Sequence, residues 1–175
     1  RMDRQIEKMS KSKFNVVSPD DIIDSYGADA MRLYELFMGP LEQSKPWQMD
    51  GVEGVNRFLK RVWRLVVDDR NGNRAEKIEE SPGTSQEKLW KSLHKTIKKV
   101  THDIDTLQFN TAISQMMIFV NDANSSSVIP LETIRIFLKL LSPFAPHICE
   151  ELWEKLGSES LLVHEPWPNY DESLC

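Results

Sequence analysis

Asp50-Gly51-Val52-Glu53-Gly54-Val55-Asn56-Arg57-Phe58-Leu59-Lys60-Arg61-Val62-Trp63-Arg64-Leu65-Val66 decides the fold class. Val52, Val55, Phe58, Leu59, Val62, Trp63 and Val66 recur at three- and four-residue steps, the period of one helix face. Arg57, Lys60, Arg61 and Arg64 fall on another side of the same helix. Asp50 with Glu53 three residues on has the pattern of a helix start. A single helix of this length is marginal in water, so the apolar stripe demands partners.

Those partners follow in the chain. After a loop over residues 68–83, Thr84 and Glu87 give a capping-box pattern. Leu89, Leu93, Ile97, Val100, Ile104 and Leu107 then form a narrow seam on a long helix, with Lys91, Lys95, Lys98 and Lys99 largely to one side. Asn110 is expected to cap a helix with Ile113, Met116, Met117 and Val120 inward. A turn is expected over 121–127, and Pro130 opens a helix striped by Leu131, Ile134, Phe137, Leu138 and Leu141. Ser142-Pro143-Phe144-Ala145-Pro146 breaks and restarts it, with Ile148, Leu152, Trp153 and Leu156 continuing the burial up to Gly157. The last residues, with Val163, Trp167 and Tyr170 beside acids, read as an extended strap. The whole reads as an all-α helical bundle.

Toward the amino end the character changes. Lys8-Met9-Ser10-Lys11-Ser12-Lys13 packs three lysines and two hydroxyls into six residues. Ammonium donors on long stems and small hydroxyls suit a polyphosphate, although such a run is more often a solvated surface loop. Ser18-Pro19-Asp20-Asp21 is a helix-start signal, so the loop feeds a short helix over 19–26 closed by Gly27. A second helix over 28–38 follows, with Met31, Tyr34 and Met38 near one face, and then a polar connector to residue 49. Residues 1–7 are read only as the possible end of a strand. The expected organisation is 1–49 for loop and connecting helices, 50–157 for the bundle and 158–175 for the strap.

With 175 residues, a net charge of -5 and 40% hydrophobic residues, the chain suits one globular domain, or one domain and part of another. Mild acidity excludes wholesale polyanion binding, so any RNA contact needs a local basic face. Cys149 and Cys175 make neither a metal spacing nor a disulfide framework, and a reducing compartment is the default. No stretch is apolar enough to cross a membrane.

The loop and its continuation carry a family resemblance. Lys8-Met9-Ser10-Lys11-Ser12, followed by Asn15-Val16-Val17-Ser18-Pro19-Asp20-Asp21 and Tyr26-Gly27-Ala28-Asp29-Ala30-Met31-Arg32-Leu33, resembles the second signature of class I aminoacyl-tRNA synthetases and the segment behind it. Residues 32–40 with Trp47, and residues 51–63, are similar to the leucine enzyme in particular. Leu140 to Trp153, Phe109-Asn110-Thr111-Ala112-Ile113 and Trp167-Pro168 resemble the helical domain shared by the leucine, isoleucine, valine and methionine enzymes.

The resemblance implies ligation of leucine to tRNA(Leu) with ATP and Mg2+. Lys11 contacts the ATP phosphates as pyrophosphate departs, Lys8 supports it, and Ser10 and Ser12 order the loop. It implies a helical domain that binds tRNA, with Arg57, Lys60, Arg61 and Arg64 as the proposed contacts and Lys91, Lys95 and Lys99 as a weaker second face. His147 with Glu150 or Glu151 sits at a spacing that mimics a metal or acid–base site, but is read as a structural corner. No metal site is expected. A cytoplasmic monomer is implied, an organellar matrix being the other compartment. Phe14 departs from the family, which has Gly or a small polar residue there.

A His-Ile-Gly-His signature is missing, and His94, His102, His147 and His164 stand alone. The chain is therefore expected to be a fragment, inactive by itself. The rival readings are a valine or isoleucine enzyme, expected to read Leu-Gly-Asn where Lys13-Phe14-Asn15 stands, and a non-catalytic helical RNA-binding module.

Overall fold

Stripes at helical spacing do become packed helices. A computed structural model describes residues 6–40, 42–80 and 87–175. Within them run α1 (Pro19–Tyr26), α2 (Ala28–Phe37), α3 (Met49–Val66), α4 (Glu87–Asp105), α5 (Phe109–Ser125), α6 (Leu131–Leu141) and α7 (Pro146–Lys155). The fold is the helical bundle expected, and among the described residues no helix is long and apolar enough to cross a membrane. Its one sheet element among these residues is a parallel pair, β1 (Ile78–Glu79) with β2 (Ile129–Pro130). The pair pins the segment after α3 to the start of α6. Two residues have no period to read, which is why residues 68–83 look like plain loop in the sequence. Thr84, and with it the capping box, lies outside the described residues, as do 1–5. Residues 6 and 7 are not strand.

Several helix ends move. α3 starts at Met49 with Gln48 in the cap position, so Asp50 is not the cap but sits in the first turn, where its charge meets the positive helix end. Likewise Gln108, not Asn110, precedes α5. Pro130 takes the cap position of α6 instead of its first turn. The turn expected over 121–127 is helix as far as Ser125. Leu107 has φ 58 and is exposed. It reverses the chain between α4 and α5 and does not extend the α4 seam.

The core is built from the predicted stripes and a few unpredicted members. Leu89, Leu93, Ile97 and Val100 of α4 are buried with Ile113, Met116 and Val120 of α5. Phe119, not foreseen, stacks on Phe137 of α6 with ring centroids 4.8 Å apart. In α2 the buried residues are Ala30, Leu33 and Tyr34, whereas Met31 and Met38 are only partly covered. Burying a side chain of this size is worth about 1.5–3 kcal/mol.

Two polar devices fasten the α1–α2 segment to the bundle. Tyr34 Oη accepts the N–H of Gln48 at 2.9 Å, and its ring meets the edge of Trp47. A Cβ on Gly51 would stand 2.4 Å from that ring, so glycine lets α3 approach α2. Asp29, only 8% exposed, caps α7 from a distance. Its carboxylate accepts the N–H of Ile148 at 2.7 Å and of His147 at 3.3 Å, and meets His147 Nδ1 at 2.8 Å.

The strap is pinned along its length, with its buried anchor at Leu162 and not at the exposed Val163. Glu150 accepts the N–H groups of both residues. Trp167 Nε1 donates to Thr101, and the Asp171 N–H donates to Nδ1 of His94. Burial pushes the His94 pKa below its ordinary value and keeps the ring a neutral acceptor.

Asp29→Ala strips two backbone donors of their acceptor in a corner the helix cannot satisfy itself. It is expected to lower the unfolding free energy by about 1.5–3 kcal/mol, read as a lower urea midpoint at unchanged slope.

Candidate functional site

The lysine loop is a folded turn. Lys11–Lys13 form one 3-10 turn, closed by Lys13 N–H to Ser10 O at 3.0 Å and Phe14 N–H to Lys11 O at 3.3 Å. Asn15 braces it from below, its Oδ1 accepting the Ser10 N–H at 2.8 Å and its Nδ2 donating to Lys8 O at 3.4 Å. The hydroxyls of Ser10 and Ser12 meet at 2.8 Å. These bonds leave the three lysines unequal. Lys13 pairs with Glu7 at 2.6 Å. Lys8 and Lys11 are exposed and, among the described residues, have no carboxylate partner. The turn therefore presents two ammonium groups without a carboxylate partner among the described residues, beside a pair of hydroxyls, a donor set that fits the oxygens of a polyphosphate.

Phe14 has φ 52 and ψ 29, the left-handed region, and is 96% exposed. A residue without Cβ would hold that conformation at lower cost. Asn15 as the brace was not singled out in the sequence; the only signal was a turn-forming Asn just behind a Ser-Lys-Ser run.

The basic side of α3 is exposed as expected, but its charges differ in availability. Arg64 pairs with Asp69 at 2.9 Å. Arg61 donates to the neutral Asn121 of α5 and keeps its charge uncompensated. Arg57 and Lys60 have no carboxylate partner among the described residues. The lysine face of α4 is largely neutralised. Lys91 pairs with Glu87 at 2.5 Å, Lys99 with the buried Asp103 at 2.6 Å and Lys98 with Glu172. Lys95 is the member of that row without such a partner among the described residues.

His147 and its neighbouring glutamates do not form an acid–base site. The ring is committed to Asp29, and the Glu150 carboxylate to the strap. Among the described residues no three His, Cys, Asp or Glu side chains gather as metal ligands. Cys149 is buried, and burial holds its thiol well above the usual range, far from a reactive thiolate.

Residues 86–174 match the family model described as the anticodon-binding domain of tRNA ligase. Residues 1–46 match the model of class I tRNA synthetases (I, L, M and V). Among solved structures, the chain is similar to the agnB2 LeuRS of Agrobacterium radiobacter K84, crystallised as a ternary LeuRS-tRNA-LeuAMS complex. The likeness has a TM-score of 0.77 at 31% identity and covers 95% of this chain and 23% of that one. The chain thus spans about a quarter of the length of that LeuRS.

Phe14→Gly is expected to favour the folded turn by about 1 kcal/mol. The measurement is amide hydrogen exchange at Ser10, whose N–H is held by Asn15. Slower exchange is the expected result; faster exchange means that the turn is not the populated state.

Proposed function

The chain belongs to the anticodon-binding domain family of class I tRNA ligases, and from that premise we propose that it is part of a leucyl-tRNA ligase. It carries the loop that stabilises the ATP phosphates and the helical bundle that holds tRNA(Leu). The observation that carries this reading is the braced turn with Lys8 and Lys11 exposed and, among the described residues, without a carboxylate partner, on a segment that Asp29 ties to the bundle. The 31% identity to a LeuRS over 95% of the chain supports leucine among the four amino acids that the class model covers.

In adenylate formation the leucine carboxylate attacks the α-phosphorus of ATP and pyrophosphate leaves. No protein nucleophile is needed, so the protein contributes position and charge. Lys11 donates to the phosphates as negative charge gathers on the leaving group, and Lys8 supports it from the other end of the turn. Ser10 and Ser12 hold each other and set the spacing between the two lysines. Mg2+ accompanies ATP and neutralises further phosphate charge when bound. The leucine and adenine pockets belong to the remainder of the ligase, so this chain alone activates no amino acid. The ligase works as a monomer in the cytoplasm.

The bundle holds tRNA through phosphate contacts. Arg57, Lys60, Arg61 and Arg64 line one side of α3, and contacts of this kind are salt-sensitive and carry little sequence information. Reading of the anticodon is not part of the proposal.

Two measurements test it. In the full-length ligase, Lys11→Ala is expected to lower leucine-dependent ATP–pyrophosphate exchange roughly 10²–10³-fold in kcat. Exchange driven by valine, isoleucine or methionine in place of leucine would reassign the substrate. In the chain as it stands, Arg57→Glu with Arg61→Glu is expected to weaken tRNA(Leu) at least tenfold and to flatten the salt dependence by roughly two in slope, as loss of about two phosphate contacts implies. Unchanged affinity would remove α3 from the interface.

A further inference from the structure

Beside the basic side of α3 lies a groove of about 500 Å3 that the lysine loop does not use and that shares only Lys60 with the α3 phosphate contacts. It is walled by the joint between α1 and α2, by α3 and by the start of α7. Asn56, Lys60 and His147 line it together with the half-buried rings of Tyr26 and Trp63. The volume falls within the roughly 300–1,000 Å3 of ordinary ligand sites.

Three chemical features converge here. Lys60 brings an ammonium with no carboxylate partner among the described residues, whereas the Lys155 ammonium, 5.7 Å from the centre of the Trp63 ring, is paired with Glu151 at 3.4 Å and lends the groove no free charge. The anionic wall residue, Asp29, is engaged by the N–H groups of His147 and Ile148 and by the His147 ring, so its charge is directed into α7. Tyr26 and Trp63 offer flat apolar surface against which a sugar or base can lie. His147 supplies the third feature. An ionised carboxylate only accepts, so Nδ1 carries the proton toward Asp29; in the neutral form of the ring Nε2 is then a lone pair. That side chain is 74% exposed. An outward-facing acceptor of this kind fits a ribose 2′-hydroxyl, the group that separates RNA from DNA.

Resting on the reading of this chain as a tRNA-binding bundle, we propose that the groove seats one backbone nucleotide of the tRNA. Its phosphate lies against Lys60, its ribose 2′-hydroxyl donates to Nε2 of His147, and the rings of Tyr26 and Trp63 cover its apolar face. Asn56 adds an amide that both donates and accepts. The phosphates on either side of that nucleotide run toward Arg57 and Arg61. The groove is thus the selective element of a face that is otherwise electrostatic.

The test titrates the 15N-labelled chain with a tRNA(Leu) transcript and, separately, with DNA of the same sequence. Lys60→Gln is expected to weaken tRNA binding roughly fivefold and to flatten the salt dependence by about one phosphate contact, whereas Arg70→Gln, at a loop residue paired with Asp68 and outside both basic faces, changes affinity less than about twofold. His147→Gln is expected to lessen the preference for RNA over DNA. At saturation the amide signals of Tyr26 to Asp29 and of His147 and Ile148 should shift in the unsubstituted chain. Should His147→Gln lower the urea midpoint, Lys60→Gln and those amide shifts decide between the outcomes. Binding that depends on Arg57 and Arg61 but ignores Lys60, with silent groove amides, overturns the groove and leaves the basic face intact. A chain that binds no tRNA at all overturns both.

Discussion

The start of α7 presents a problem that its own sequence cannot solve. A helix opens with backbone N–H groups that have no partner inside it. Pro146 at the first position has no N–H to satisfy, and Ala145 in the cap position has no side-chain acceptor. The donors left over are those of His147 and Ile148, in a corner bordered in the chain by the buried Phe144, Ala145 and Cys149. Asp29 supplies the missing acceptor from α2, more than a hundred residues earlier in the chain. Charged acceptors make the stronger class of hydrogen bond, and the positive end of the helix favours the ionised carboxylate. The cost of burying Asp29 is offset by the groups that it satisfies.

This one contact sets the geometry between two functional segments. The loop leads directly into α1, α1 turns at Gly27 into α2, and Asp29 is the second residue of α2. Gly27 has φ 88, a conformation that side chains rarely adopt, so the joint is short and fixed in direction. From Lys11 to the bundle the path therefore runs through one short helix and one glycine. The second tie, Tyr34 against Gly51 and Gln48, holds the far end of α2 to the start of α3, the helix with the basic face. Loop and basic face are thus held by opposite ends of the same short helix.

How legible this was depends on the range of the interaction. α1 begins and ends where Ser18-Pro19 and Gly27 placed it, because proline and glycine act on their own φ angles. The stripe of α6 is buried as read and that of α3 nearly so, with Trp63 only partly covered and Leu65 buried in addition, because helical period is a local property. What escaped was set by partners distant in sequence. Asp29 looks like an ordinary first-turn acid, and Glu150 like a surface residue of α7. Nothing local marks Ile78 and Ile129 as strand partners, and Leu107 continues the α4 period although the chain has already turned. The neutralised lysines are an intermediate case. The pairs of Lys91 with Glu87 and Lys99 with Asp103 are four residues apart on one helix, so the sequence held them and a count of positive charges alone passed over them.

The same distinction bears on why, among the described residues, the loop leaves two of its lysines without a carboxylate partner. An exposed ion pair is worth about 0–1 kcal/mol, so the turn loses little stability by withholding carboxylates from Lys8 and Lys11. In the proposed role, two such charges in a closed site from which water is excluded would act on a leaving diphosphate at much lower effective dielectric, and each interaction would grow severalfold. A partner carboxylate would have to be displaced first, and its repulsion would oppose the phosphate. Lys13, which does have such a partner in Glu7, is accordingly better suited to holding the base of the turn than to meeting the substrate. In a chain of net charge -5 the binding of polyanions cannot rest on the overall field. Under the proposed function it would rest on cations without a carboxylate partner, which among the described residues include Lys8 and Lys11 of the turn, Arg57, Lys60 and Arg61 of α3 and Lys95 of α4.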